Sequence, residues 1–443
     1  MDIYLIDTPT TNYCTWNEVW KSPGNFVLSD GNLTLQYISS TDGGYGANMF
    51  VYSGKWYFEI EAGSVYDWMG VVSDTCIASG DMAGHAAYVA GNFSTFGGDM
   101  AYGYRAENGD SWSPTSSTSY GDAYADGDVI GVALDLDNDA IWYSKNDTWQ
   151  NSATIGEIEA GTTTNAAETG TLTGIRWAPC LTSEGTNSTI HLNCGQFAFA
   201  GTAPTGFNKI NTANLAEPTI KDGKKYFDTI LYEGNGFSQK AGQFQPITET
   251  YSIGNSALFV DADDCFLSRT PGSAGDRRNV TISFWFKRVG NAQEIFLSST
   301  GGSFYSEFLT TGYMKFFTDG SGQHQTTEPF NDPTQWYNCV MAYDTENATP
   351  ADRFKLYING VRITDFSIEN DMTQDADLSI TNNVEQFLGR YLTSPALDYD
   401  GYLAEFVLID GTTLTPSSFG EVDSTTNRWI PKDVSGLTFG TTG

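Results

Sequence analysis

Residues 126–145 read DGDVIGVALDLDNDAIWYSK. Ile130, Val132, Leu134 and Leu136 fall on alternate positions, with Gly131, Ala133, Asp135 and Asp137 between them. A period of two sends the first set to one face of a β-strand and the second to the other. Asn138-Asp139 supplies turn chemistry, and Ile141 and Tyr143 resume the alternation, so the stretch predicts a β-hairpin.

The chain around the hairpin repeats this grammar. Upstream, GKWYFEIE (Gly54 to Glu61) puts Trp56, Phe58 and Ile60 on one face and Lys55, Tyr57, Glu59 and Glu61 on the other. MGVV at Met69 to Val72 predicts a further strand, as does GNLTLQY after an Asp30-Gly31 turn. Between Ser73 and Tyr124 the order loosens into loops around the strand AYGYRA, and IRWAPC (from Ile175) and TIHLNCGQ (from Thr189) supply later strands. The aromatic strand ending on Glu, MGVV, the G-D-x-I-G-x-x-L-D hairpin and the two later strands stand in the order of the SPRY domain family, which this half resembles. Cys194 departs from the aromatic in that family's closing Asn-aromatic-Gly pattern.

A second half follows an irregular connector carrying FAFAGTAPTGFNKINTANLAEPTI, with one strand and a turn predicted in KKYFDTILYEGNG from Lys224. NVTISFWFKR alternates again, WYNCVMAY from Trp336 is another strand, and RFKLYINGVRIT carries the Asn359-Gly360 hairpin signal. GYLAEFVLID, from Gly401, is apolar on both faces and predicts a central strand. The order W-Y-x-C-V-M-A-Y, K-L-Y-I-N-G, F-L-G-R, D-G-Y-L-A-E-F resembles the laminin-G-like, concanavalin A-like jelly roll. The strings TAPTGF, NLAEPTI and YFDTILY, with the opening IDTPT, resemble segments that join β-modules in structural proteins of marine bacteriophages. The expected architecture is all-β: two tandem antiparallel sandwiches, with a SPRY-like domain and its lead-in at 1–200, a connector at 201–250 and a jelly roll at 251–443. The closing FGTTG lacks a stop-like cap, which suggests a longer parent chain or an end that docks on a partner.

Length and composition agree with this. A chain of 443 residues exceeds one ordinary core, and 40% hydrophobic with 14% aromatic residues argues against global disorder. The 47 glycines, with Thr, Ser, Asn and Asp between short apolar runs, fit many strands joined by tight turns, and no sustained run has helical spacing. A net charge of −32 repels phosphate backbones and anionic headgroups, so neither nucleic-acid binding nor peripheral membrane binding is expected. Met1 to Thr10 lacks the basic and apolar segments of a signal peptide, and no run of about 18 apolar residues predicts a bilayer span. The six cysteines are scattered without C-x-x-C. Cys180 and Cys194 could bridge neighbouring strands, although free buried thiols fit the spacing better.

Candidate chemistry is sparse. Asp135, Asp137 and Asp139 begin an EF-hand-like D-x-D-x-D but lack the later Gly and Glu. Asp261, Asp263 and Asp264 (VDADD) and Asp398 with Asp400 (LDYDG) are calcium candidates at loop edges, with turn acids as the plainer reading. Related jelly-roll glucanases need E-x-D-x-x-E; Glu59 with Glu61 is the nearest pair here and Glu405 stands alone, so no enzyme is expected. His85, His191 and His324 are isolated, and the six N-x-[ST] sequons fit chance in an Asn- and Thr-rich chain. Aromatic side chains beside Asp and Asn can hold sugars, which nominates Trp68, Tyr88, Trp112, Trp149 and Tyr391. The SPRY resemblance implies ligand contacts from loops at one end of its sandwich, nominating Asp67, Trp68, His85 and Tyr124.

The two domain resemblances and the phage-like joining segments together imply a non-enzymatic surface protein of a marine phage particle: a tail fibre, an appendage or a capsid fibre. Its expected partners are other virion proteins and a host-surface glycan or protein, in a homo-oligomer such as a trimer. A purely architectural protein and a bacterial cell-surface adhesin are the alternatives.

Overall fold

The computed structural model describes residues 4–21, 26–38, 43–64, 66–74, 101–113, 116–183, 188–215, 251–290, 292–300, 304–392 and 397–443. His85, Tyr88, Cys76 and the strand expected from Lys224 lie outside the described residues. The chain forms two units. One is Tyr13–Ala216; the other is split in sequence, Met1–Asn12 joining Glu217–Gly443. The first is therefore inserted into the second.

The inserted unit has two antiparallel sheets. One runs Ser116–Ser119, Asp110–Ser113, Ala101–Arg105, Asp67–Ser73, Trp177–Ser183, Gly43–Ala47 and Trp16–Lys21. The other runs Thr148–Trp149, Ala140–Lys145, Val129–Asp135, Lys55–Glu61, Ser188–Asn193, Thr34–Tyr37 and Phe26–Ser29, with Glu168–Thr169 paired to Ala140–Lys145. The hairpin forms as the alternation predicts, from Ile130 opposite Lys145 to Asp135 opposite Ala140.

Both faces of that hairpin are covered, so Gly131, Ala133 and Asp135 are buried too. Small residues are needed on the second face because Tyr57, Trp142 and Ile158 pack there. At Gly131 a Cβ would come within 2.4 Å of Ser144 Oγ and 2.5 Å of the Tyr57 hydroxyl. Ile158 belongs to a short helix, Ile155–Glu159, held by a Thr154/Glu157 capping box. Five residues are too few to show helical periodicity; T-x-x-E was the readable signal.

Phe199, Ala203 and Phe207 pack on the same cluster, Asn208 O accepts from Tyr57 N–H at 2.9 Å, and Ile210 O accepts from Cys14 N–H at 3.0 Å. These contacts carry the inserted unit past the boundary expected at residue 200. Cys14, Cys180 and Cys194 are all buried free thiols, and Cys194 contacts Cys14.

The split unit is also a two-sheet sandwich. One sheet runs Tyr4–Leu5, Ser256–Phe259, Gly401–Asp410, Asn279–Arg288, Tyr337–Asp344, Phe354–Ile358 and Val361–Ile363. The other runs Leu267–Arg269, Gln386–Leu388, Glu294–Ser299, Tyr305–Phe308, Tyr313–Thr318, Gly322–Pro329 and Phe366–Asn370. Their core includes Ile282, Phe284, Phe286, Phe296, Phe308, Phe316 and Met341. Fully burying each such side chain stabilises the fold by about 1.5–3 kcal/mol. Asn359 and Gly360 both take positive φ, 48° and 78°, as the tight hairpin turn requires.

Residues 4–12 correct the expected grouping of the lead-in with the first domain. Tyr4–Leu5 adds a strand beside Ser256–Phe259. Asp7, fully buried, holds the Lys287 ammonium at 2.7 Å and accepts from Trp336 Nε1 at 3.1 Å. Asn12 Oδ1 lies 2.9 Å from the same ammonium. Lys287 is also fully buried, and such a charge requires a partner; the lead-in supplies it.

Candidate binding surface

The described residues of the split unit bring together one aromatic group on the sheet that contains Tyr313–Thr318. That strand alternates: Met314, Phe316 and Thr318 are buried, while Tyr313, Lys315 and Phe317 are half-buried on the other face. Opposite them, Tyr305 pairs with Phe317 and Glu307 with Lys315. The Tyr305 and Phe317 rings stack at 4.2 Å with 18° between planes. Tyr391 meets Tyr305 edge-to-face at 5.1 Å, and Lys315 Nζ lies 4.6 Å from the Phe317 centroid.

Gln323 and Gln325 continue the rows on the next strand, opposite Phe317 and Lys315. Glu307 accepts from Gln293 Nε2 at 2.7 Å. The result is a ridge: a cation, two stacked rings and a third ring at its end, bordered by amides. Because the rings stack on one another, the ridge offers ring edges, phenolic hydroxyls and an ammonium more than a flat platform. Burial, Glu307 and Tyr391 push the Tyr305 hydroxyl up to about 12, so it keeps its proton at neutral pH.

Of the sequence nominations, Tyr391 joins this ridge. Tyr305, Phe317 and Lys315 were missed, although the alternation in YMKFFT was there to be read. Three nominations in the inserted unit are corrected. Asp67 is fully buried and accepts from the Gly63 and Ser64 backbone N–H and from the hydroxyls of Ser64, Ser183 and Ser188, so it is a structural anchor. Burial raises its carboxyl pKa, against the pull of those donors. Trp68 is buried under Trp112 at 4.8 Å, with the Arg105 guanidinium 4.9 Å from its ring. Tyr124 is buried, its hydroxyl donating to the Asp67 and Tyr104 carbonyls. Trp112 and Trp149 stay half-buried, Trp149 at 6.3 Å from Tyr57.

Two of the acidic candidates, Asp264 and Asp398, are held by a protein cation. Arg390 binds Asp398 through two nitrogens, at 3.0 Å from Nε and more closely from Nη2, and reaches Asp264 at 3.1 Å. A positive charge thus already lies between two of the proposed calcium ligands. Burial, Asp398 and Asp264 raise the Asp261 carboxyl pKa. Asp263 N–H donates to the Val260 carbonyl, and Asp400 accepts at its backbone carbonyl from Val289 and Gly290 N–H. Among the described residues no group of three or more His, Cys, Asp or Glu is arranged to hold a metal ion. Asp135 pairs with Lys55 at 3.0 Å, Asp137 accepts from Gly54 N–H and Asp139 from Leu172 N–H, so the D-x-D-x-D run is a turn scaffold.

Glu59 and Glu61 do not act as a pair. Glu59 is buried and accepts from Ala200 N–H, Gly201 N–H and the Tyr57 hydroxyl at 2.8–2.9 Å, whereas Glu61 is exposed. Glu59, Tyr57, Ser144 and Asp147 line a polar concavity of ≈ 210 Å³. His324 packs between Phe354 and Phe366, and His191 Nδ1 bonds the Thr34 hydroxyl. No described helix is long and apolar enough to cross a membrane.

Comparison with known proteins matches residues 55–162 to the SPRY domain and residues 267–418 to Laminin_G_3, of the Concanavalin A-like lectin/glucanases superfamily. Among solved structures, the SPRY domain of human HERC1 is 16% identical, with a TM-score of 0.30 over 41% of this chain and 99% of that one. Stonustoxin is 14% identical, with a TM-score of 0.30 over 41% of this chain and 27% of that one. The heptameric SAP-like pentraxin of Limulus polyphemus is 13% identical, with a TM-score of 0.27 over 40% and 85%. Compared with curated proteins, the chain has no significant match. The sandwich domains suggest binding or adhesion.

Proposed function

We propose, from a chain that carries a SPRY domain and a laminin G-like domain in tandem, a non-enzymatic surface-recognition protein. Its split unit contacts a host-surface glycan along the Tyr391–Tyr305–Phe317–Lys315 ridge. The ridge is the observation that carries this reading: half-buried rings at 4.2 Å and 5.1 Å from one another, with hydroxyl, ammonium and amide groups alongside. Sugars combine apolar C–H faces with dense hydroxyls, and such a mixed surface meets both. The non-enzymatic part rests on Glu59, whose oxygens are occupied by backbone and phenol donors. The setting we propose is a marine phage virion, as part of a tail or capsid fibre and in a homotrimer. Its support is the likeness of IDTPT, TAPTGF and NLAEPTI to joining segments of such particles.

A glycan array probed with the whole protein, with and without calcium, tests the reading. Binding that is calcium-independent and falls at least tenfold in Phe317→Ala and Tyr305→Ala supports it. Absence of glycan binding, with the protein found inside a particle by electron microscopy, would replace it with a purely architectural role. A monomer in size-exclusion light scattering overturns the trimer.

A further inference from the structure

The split unit also has a concavity, separate from the ridge. It is lined by Phe406, Leu408, Leu297, Leu388 and Arg269 among others, has mostly apolar walls, and measures ≈ 300 Å³. Leu408 and Leu297 belong to the core, so the concavity reaches the space between the two sheets. At its rim, Leu267–Arg269 is an edge strand exposed along its length, with Leu267 42% exposed. That volume lies at the small end of ligand pockets.

Arg269 gives the concavity its chemistry. It donates through Nε to the neutral amide oxygen of Gln386 at 3.2 Å. Arg277, Arg278, Arg288, Arg362 and Arg390 each meet a carboxylate of the split unit. Arg269 makes no ion pair among the described residues, in a chain with 54 acidic and 22 basic residues. A guanidinium beside apolar walls, with its remaining N–H groups uncommitted to any carboxylate of the described residues, matches the planar head of a carboxylate ion.

We propose that this concavity binds a medium-chain aliphatic carboxylate, its chain between the sheets and its head on Arg269. The site goes beyond the ridge and does not depend on it. Calorimetry of the whole protein with hexanoate, octanoate and octan-1-ol, all below micelle-forming concentrations, tests it. Octanoate should bind at least tenfold more tightly than octan-1-ol, and about fourfold per added methylene more tightly than hexanoate. Arg269→Gln, on an exposed strand, should bring octanoate to the level of octan-1-ol without changing thermal unfolding. Leu388→Trp should abolish binding of both, with circular dichroism confirming the fold. No binding of octanoate, equal affinity for acid and alcohol, or an unchanged Arg269→Gln variant would overturn the proposal.

Discussion

Asp7→Ala should destabilise the split unit far more than its position in a turn-rich lead-in implies. The Lys287 ammonium lies 2.7 Å from Asp7, with both side chains 1% exposed. After the substitution it keeps Asn12 Oδ1 at 2.9 Å and the face of Tyr402 at 4.3 Å but loses the Asp7 carboxylate. Trp336 Nε1 also loses the acceptor it has at 3.1 Å. Removing one member of a buried pair costs about 3–5 kcal/mol, because the other charge stays out of water. For a unit of this size that corresponds to a fall in Tm of roughly 6–20 °C. Differential scanning calorimetry of the whole chain reads it as a downward shift of one transition. A shift under 2 °C would refute the argument that the lead-in completes the split unit's core. Asp7→Leu with Lys287→Met removes both charges and should recover most of the loss. A double variant as unstable as Asp7→Ala would assign the cost to strand packing instead.

Asp67→Ala leaves three serine hydroxyls and two backbone N–H groups around an empty acceptor site. It should cost the inserted unit about 3 kcal/mol or more by urea denaturation, and a loss below 1 kcal/mol would contradict the anchor role. Arg390→Met strands the buried Asp398 and should destabilise the split unit by about 3–5 kcal/mol. Millimolar calcium should restore part of that loss and leave the wild-type Tm unchanged; a calcium-dependent wild-type Tm would show that the acids serve a metal after all. Burial and the Asp433 charge push the Glu405 carboxyl up to about 7, against the Tyr251 hydroxyl at 2.6 Å. The folded state therefore holds this proton where the unfolded chain has lost it. Glu405's contribution is complete below the unfolded pKa near 4.5 and is lost as pH rises through about 7. Glu405→Gln should flatten that slope by on the order of 1–2 kcal/mol between pH 4.5 and 8, after allowing for solvent screening; an unchanged pH profile would remove Glu405 as its source.

Strand identity was legible wherever a period of two was unbroken. Val129–Asp135 and Asn279–Arg288 form where their apolar alternation places them, and Asn359-Gly360 turns where its dipeptide dictates. Burial was less legible, because alternation cannot say what covers the second face. Ala133 is buried only because Tyr57, Trp142 and a five-residue helix lie over it, and those residues come from distant stretches. The same limit misplaced Asp67 and Trp68: an acid and an aromatic at a strand's start look available until the partner strands arrive. The ridge was half legible. Tyr391 was nominated for its chemistry, but Tyr305 and Phe317 meet only through cross-strand register, which no single segment contains. Asp7 was the hardest to read, since its partner Lys287 is separated from it by the whole inserted unit.

That separation sets an order of events during synthesis. The ribosome delivers residues 4–12 first, then the entire Tyr13–Ala216 unit, and only later the strands that hold Lys287 and Trp336. Residues 4–12 must wait, and the sandwich they belong to cannot finish until it retrieves a segment made before the inserted unit. Such long-range closure is slow. A fragment beginning at Tyr251 would emerge with an ammonium lacking Asp7 and with Ser256–Phe259 lacking its Tyr4–Leu5 neighbour, an open edge that invites another chain.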